Sequence, residues 1–191
     1  MSPRTKFVMI FLLFSVPFIA STITFLIWKP SVTNNYGELL SPIIALPEAK
    51  LVRIDGDTAN KDLIEKSLRG KWLMVTRDSG ACETACQKKL YAMRQARLSI
   101  GREQDRVVRV VLVDDDVAPS AALVAEFQGT IWVSAKALPW LAKLPSVESN
   151  TRNHLYGVDT LGNVFIRYNA DPDIKRMMKD FQRVLKASQI G

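Results

Sequence analysis

Histidine and cysteine are nearly missing from this sequence: there is one histidine, His154, and there are two cysteines, Cys82 and Cys86. A closed structural zinc site takes four protein ligands, so three candidates exclude one. A disulfide-stapled scaffold is excluded as well, because two cysteines make at most one bridge. There is no internal repeat and no low-complexity tract. Ionisable side chains are absent from residues 7–28 (FVMIFLLFSVPFIASTITFLIW).

That uncharged run reaches roughly 33 Å as a helix, enough to cross a bilayer core. A cleavable signal has a shorter apolar core and ends in small residues, whereas the only candidate here, Phe18-Ile19-Ala20, carries an aromatic where a small residue is required. The run therefore reads as an uncleaved transmembrane helix, and Pro17 within it is tolerable in lipid. Arg4 and Lys6 precede it, and residues 30–47 contain no basic side chain. By the positive-inside rule the N-terminus is cytoplasmic and the remainder is exported. The expected organisation is a cytoplasmic stub at 1–6, a span at 7–28, a tether at 29–45 with a packed piece at 39–46, and one soluble domain at 46–191. In a bacterium that is an inner-membrane protein with a periplasmic domain.

The net charge of +7 would suggest nucleic acid in a cytosolic protein. An exported domain meets none, and the basic residues are spread along helical stretches instead of forming one block. A solvated surface, an acidic protein partner and anionic lipid are the readings that stay open.

Strand patterns fall at 50–54, 72–76, 107–113, 130–133, 155–158 and 164–168. Helical patterns fall at 59–68, 84–100, 120–127 and 171–187, with Pro119 suited to a first turn and glycines just beyond three of the ends. The order strand 72–76, helix, strand 107–113 is a βαβ unit, and VVRVVLV has the apolar continuity of a strand covered on both faces. A late hairpin turning at 160–163 and a final helix complete an α/β, thioredoxin-like plan: a central mixed sheet flanked by helices.

Both cysteines lie between a buried strand and the helix after it, where α/β sheets place ligands. Four residues apart, they can sit one helical turn from each other and form a disulfide, or aim two sulfurs at one metal ion. So small a loop stabilises by roughly 2 kcal/mol against about 4.7 for a hundred-residue loop, which favours a redox or metal role over a structural one. The helix N-terminus lowers a thiol pKa, Lys88 and Lys89 add positive charge one turn on, and Glu83 opposes them. Two thiolates suit Cu(I), with His154 as the one available imidazole. Spacing of four departs from the C-x-x-C of ordinary dithiol catalysts.

In GKWLMV before the site, C-x-x-x-C on the loop, VVLVDDDVAPSAALVAEF after the helix and the hairpin LYGVDTLGNVFIRY, the sequence resembles the Sco (SenC) family. These are membrane-anchored, thioredoxin-like copper-binding factors for assembly of cytochrome c oxidase. The resemblance implies that Cys82 and Cys86 are copper-binding cysteines, and that the partner is an oxidase subunit or another assembly factor. It departs from the family at Glu83 and Gln87, where prolines are usual. Aligned on the hairpin, Thr151 occupies the family's histidine position, and in an extended segment an offset of three turns His154 to the other face. Two functions remain: a non-enzymatic copper-handling assembly factor, and a thiol-disulfide oxidoreductase using Cys82 and Cys86 as its redox pair, with Cys82, nearer the loop tip, the more exposed.

Overall fold

The structure is a computed structural model and describes residues 2–27, 34–47, 51–56, 68–136, 138–147 and 150–190. It divides into two compact units, Met1–Asn34 and Asn35–Gly191. In the first, helix α1 (Pro3–Ile27) buries no residue and exposes Phe, Leu and Ile side chains all round. By length and composition it can cross a membrane. Its Thr22 and Thr24 hydroxyls donate to the carbonyls of Phe18 and Ala20 at 2.9 and 2.8 Å, so neither is left unsatisfied in an apolar medium.

The second unit is built on seven strands: β1 (Glu38–Ala45), β2 (Val52–Arg53), β3 (Trp72–Asp78), β4 (Val107–Val113), β5 (Thr130–Ser134), β6 (His154–Val158) and β7 (Asn163–Asn169). They lie in the order β1-β7-β6-β3-β4-β5-β2, with β3, β4 and β5 parallel and the other pairs antiparallel. Among the described residues three α-helices accompany them: α2 (Thr84–Ser99), α3 (Ala121–Glu126) and α4 (Ile174–Ala187). This is the expected mixed α/β arrangement. The helix expected at 59–68 lies outside the described residues except for Leu68.

Alternation along β3 assigns Trp72 and Met74 to one face and Leu73 and Val75 to the other. The first face packs on Leu90, Met93 and Ala96 of α2 and on Met177, Phe181 and Leu185 of α4. The second packs on Trp140, Leu141 and Leu144. Strand β4 is sandwiched between both cores, which accounts for its near-continuous apolar sequence. Arg109 is its exception: buried, it donates to the Gln128 carbonyl at 2.6 Å, and burial pulls its guanidinium down to about 10.

Two expectations change. Glu38–Ala45, assigned to the tether, is an edge strand paired with β7, its register broken between Leu39 and Ile44 around Ser41 and Pro42. Proline interrupts the alternating pattern that would have revealed it, and an edge strand is where a sheet tolerates proline. Pro119 lies ahead of the first turn of α3, whose N-cap is Ser120, accepting from Leu123 N at 3.2 Å. The hairpin turns where expected, organised by Asp159, which accepts from Leu161 N and Asn163 N, with Gly162 at φ +88°.

The chain enters this sheet over α4. The buried carboxylate of Asp180 accepts from Tyr36 N at 3.0 Å and Gly37 N at 2.9 Å, and the Tyr36 hydroxyl accepts from Asp173 N at 2.9 Å. Asp180→Ala leaves two amides without their charged acceptor and should cost about 3 kcal/mol. Urea unfolding of the full chain in detergent, followed by tryptophan fluorescence, measures this; a change under about 0.5 kcal/mol, the range of ordinary surface substitutions, would show that the entry is held by other contacts.

Candidate functional site

The carboxyl end of β3 runs into a tight loop, residues 79–83, and then into α2. Asp78 accepts from Ser79 N at 2.9 Å, Ser79 Oγ accepts from Ala81 N at 3.1 Å, and Cys82 N donates to the Ser79 carbonyl at 3.1 Å. Gly80 has no room for a side chain, since a Cβ there would sit 1.7 Å from the Val117 carbonyl oxygen. Asp115 fastens the two loops, accepting from Gly80 N at 3.1 Å and from Val117 N at 3.2 Å. At the end of this turn Cys82 takes φ +43°, a left-handed conformation that is costly for a residue with a Cβ.

Cys82 and Cys86 are joined in a disulfide, with Cα atoms 5.0 Å apart across the first turn of α2. Cys82 is 0% and Cys86 1% exposed, so the expectation that Cys82 is the more exposed does not hold. Gln87, in place of a proline, donates from its side-chain amide to the Cys82 carbonyl at 3.0 Å. On reduction both sulfurs would lie at a helix N-terminus, where the unpaired amides favour the thiolate.

Lys88 is exposed, but Lys89 is 1% exposed and turns beneath the loop. Its ammonium contacts Asp78 Oδ2 at 2.6 Å and donates to the carbonyls of Arg77, at 3.2 Å, and Arg152. Burial pulls Lys89 below its ordinary value, against the opposing pull of Asp78. Its charge is therefore compensated locally, unlike the free charge expected beside the cysteines. Next to it Asp114 is clamped between Arg77 Nε, at 2.6 Å, and the guanidinium of Arg152, whose pKa is held above its ordinary value by the hydrogen bonds it donates to Asp114. The sequence pattern alone did not reveal this network. Its signal is the polar pairs, Arg77-Asp78 and Asp114-Asp115, that end two adjacent parallel strands rich in apolar residues.

Thr151 is buried and accepts from Arg77 Nη1 at 2.6 Å, so this network occupies the position that the Sco pattern gives to histidine. His154 is elsewhere engaged. Its Nε2 accepts from Val147 N at 3.0 Å, which places the ring proton on Nδ1, 3.2 Å from the Tyr168 carbonyl it donates to. Both nitrogens are spent on backbone, and no lone pair faces a metal. Among the described residues, no group of three His, Cys, Asp or Glu side chains is placed to hold a metal ion. The structure thus brings Cys82 and Cys86 together and leaves His154 out, because residue 154 begins β6 and faces the turn before it.

A family model described as transmembrane-like, thioredoxin-like, C-terminal domain matches residues 72–188. The chain belongs to this thioredoxin-like family. No curated protein matches the sequence. Among solved structures, apo Sco1 from Thermus thermophilus is similar at 15% identity and TM-score 0.59, covering 81% of this chain and 99% of that one. Copper-bound yeast Sco1 is similar at 15% identity and TM-score 0.56, covering 84% and 96%. A SCO1/SenC family lipoprotein from Bacillus anthracis is similar at 18% identity and TM-score 0.54, covering 75% and 98%. At these identities the likeness is one of fold. It agrees with the thioredoxin-like plan read from the sequence, and the family match covers β3 to the end of α4.

Because His154 is the chain's only histidine, its burial gives a clean pH signature. Burial lowers its pKa below the ordinary 6.5, against the hydrogen bond to Tyr168. The unfolded imidazole then takes a proton near pH 6.5 while the folded one does not, so stability falls as pH drops from 7 through 6.5 toward the folded value. Urea midpoints between pH 7.5 and 5.5 should decline in wild type and stay flatter in His154→Gln. Parallel declines in the two would place the titrating group elsewhere.

Proposed function

We propose that this chain is a membrane-anchored, thioredoxin-like protein that handles copper during assembly of cytochrome c oxidase, acting through Cys82 and Cys86. The observation that carries this reading is the disulfide across the first turn of α2, at the carboxyl end of β3. Two electrons and two protons convert it to a dithiol, supplied by a reducing dithiol that is itself oxidised to a disulfide. The two thiolates then offer one soft ligand pair to Cu(I) as cargo, released to an oxidase subunit or another assembly factor. The fold shared with copper-bound yeast Sco1 supports the same assignment. The anchor is α1, with the N-terminus inside and the domain on the periplasmic side of a bacterial inner membrane; nucleic acid has no part in it.

A second reading is favoured by the engagement of both His154 nitrogens. With no third ligand from that residue, the pair can serve instead as a thiol-disulfide oxidoreductase that reduces cysteines of a copper site or of its chaperone. One thiolate attacks the substrate disulfide, and the other displaces the reduced substrate from the mixed disulfide.

Anaerobic Cu(I) titration of the reduced full chain against a competing chelator tests the first reading. Cys82→Ser and Cys86→Ser should each abolish tight binding almost equally, whereas His154→Ala should weaken it less than tenfold, or about 1.4 kcal/mol. A loss of several orders of magnitude in His154→Ala would mean that residues 150–153 rearrange to deliver the imidazole. Negligible binding by wild type, with a stable disulfide-linked conjugate trapped by only one of the two serine variants, selects the oxidoreductase. Compartment is tested separately. A reporter that works only outside the cytoplasm, fused after Gly191, should be active; activity of a cytoplasm-only reporter there would reverse the orientation.

A further inference from the structure

Part of the basic surplus of the sequence forms a stripe on one surface. Helix α4 carries Lys175, Arg176, Lys179, Arg183 and Lys186, all exposed, and its only acidic residue, Asp180, is buried. At 3.6 residues per turn the five cations fall within an arc of about 100°, opposite the Met177, Phe181 and Leu185 side chains that face the core. Lys175, Lys179 and Lys186 have no carboxylate partner among the described residues, while Arg183 pairs with Asp180 at 3.2 Å. Asp171 and Asp173, exposed just before the helix, are the acidic groups beside the stripe at its N-terminal end.

The chain's own route supplies the partner. It leaves the apolar helix at Ile27 and reaches the sheet domain at Tyr36, whose ring lies under Arg176 with its guanidinium carbon 4.4 Å from the centroid. Tyr36 and Gly37 are then pinned to Asp180 of the same helix. Nine residues span at most about 32 Å. A domain anchored through α1 is therefore entered at the helix that bears its cationic stripe.

We infer that the α4 stripe is a membrane-surface contact that takes the anionic phospholipid headgroups of the bilayer in which α1 is anchored. This rests on the anchored reading above. Lysine stems suit the role, since they extend a mobile ammonium toward phosphates without requiring a fixed geometry. The contact would orient the sheet domain on the bilayer, with α4 against the headgroups and the surface formed by 139–143 on the opposite side of the sheet.

Two measurements on the full chain separate this from the reading it rests on. Flotation with phosphatidylcholine vesicles tests the anchor, and a chain that stays in the aqueous phase overturns both. Amine acetylation, followed by mass spectrometry, is then compared in nanodiscs of phosphatidylcholine with and without phosphatidylglycerol. A surface potential of about −30 mV lowers the local pH by about half a unit, so the reactive neutral amines of Lys175, Lys179 and Lys186 should react about threefold more slowly on the anionic discs. Lys143, on the opposite face of the sheet, should react equally on both, and about 1 M salt should remove the difference. Equal rates for the α4 lysines on both discs overturn the inference. So does slowing that requires an added acidic protein and not phosphatidylglycerol, which would assign the stripe to a protein partner.

Discussion

The site depends on one buried ammonium. Lys89 Nζ meets Asp78 at the end of β3 and the backbone carbonyls of Arg77 and Arg152. It thereby ties the helix that carries Cys86 to the strand before the cysteine loop and to the turn before β6. Such a pair is expensive to desolvate, and burial indeed draws Lys89 below its ordinary pKa. What the fold gains is registration. Lys89 lies three residues after Cys86, so a fixed ammonium fixes the rotation of the helix turn on which the disulfide closes.

The same ends of β3 and β4 set the loop itself. Asp114 gathers Arg77 and Arg152, Arg77 holds Thr151, and Asp115 binds the amides of Gly80 and Val117. Because β3 and β4 are parallel neighbours in register from Trp72–Val107 to Asp78–Val113, their polar ends emerge side by side. The cysteine loop is thus clamped on one side by an acidic loop and from below by a lysine. A disulfide held this way is almost fully enclosed, and the Asp115 carboxylate, bound to the amides of Gly80 and Val117, holds the 79–83 loop against its neighbour.

Much of this architecture is legible in the sequence. A strand sandwiched by two cores must be nearly continuous in apolar residues, and VVRVVLV is, with Arg109 as its one exception. A hairpin followed by an amphipathic helix must alternate and then repeat every three to four residues, and residues 155–187 do. The cysteine pair can be placed because its spacing matches one helical turn. The edge strand β1 is not legible, since Ser41 and Pro42 break its alternation and an edge strand buries too little to enforce one. Nor is the choice between Lys88 and Lys89. Adjacent residues on a helix differ by about 100°, so one faces water and the other the interior, and only the position of the core decides which. His154 is ambiguous for a related reason. Composition makes it a ligand candidate, but the turn at 150–153 places it at the first position of β6, where backbone partners satisfy both ring nitrogens.

The departures from the Sco pattern belong together once their contacts are known. Gln87 accompanies Cys82, whose carbonyl accepts its amide, and Thr151 accompanies Arg77, whose guanidinium it receives. An imidazole at position 151 would have to share its surroundings with Arg77, which is already committed to Asp114; a cation there would disfavour both a protonated ring and a nearby metal ion. Threonine at 151 and arginine at 77 are thus matched to each other through one contact. It leaves the two sulfurs as the chemistry of the site: any copper held there would depend on Cys82 and Cys86 in a way that a three-ligand site does not, and closing the disulfide would remove both donors at once. On the copper-handling reading proposed above, oxidation state and metal capacity would be the same variable.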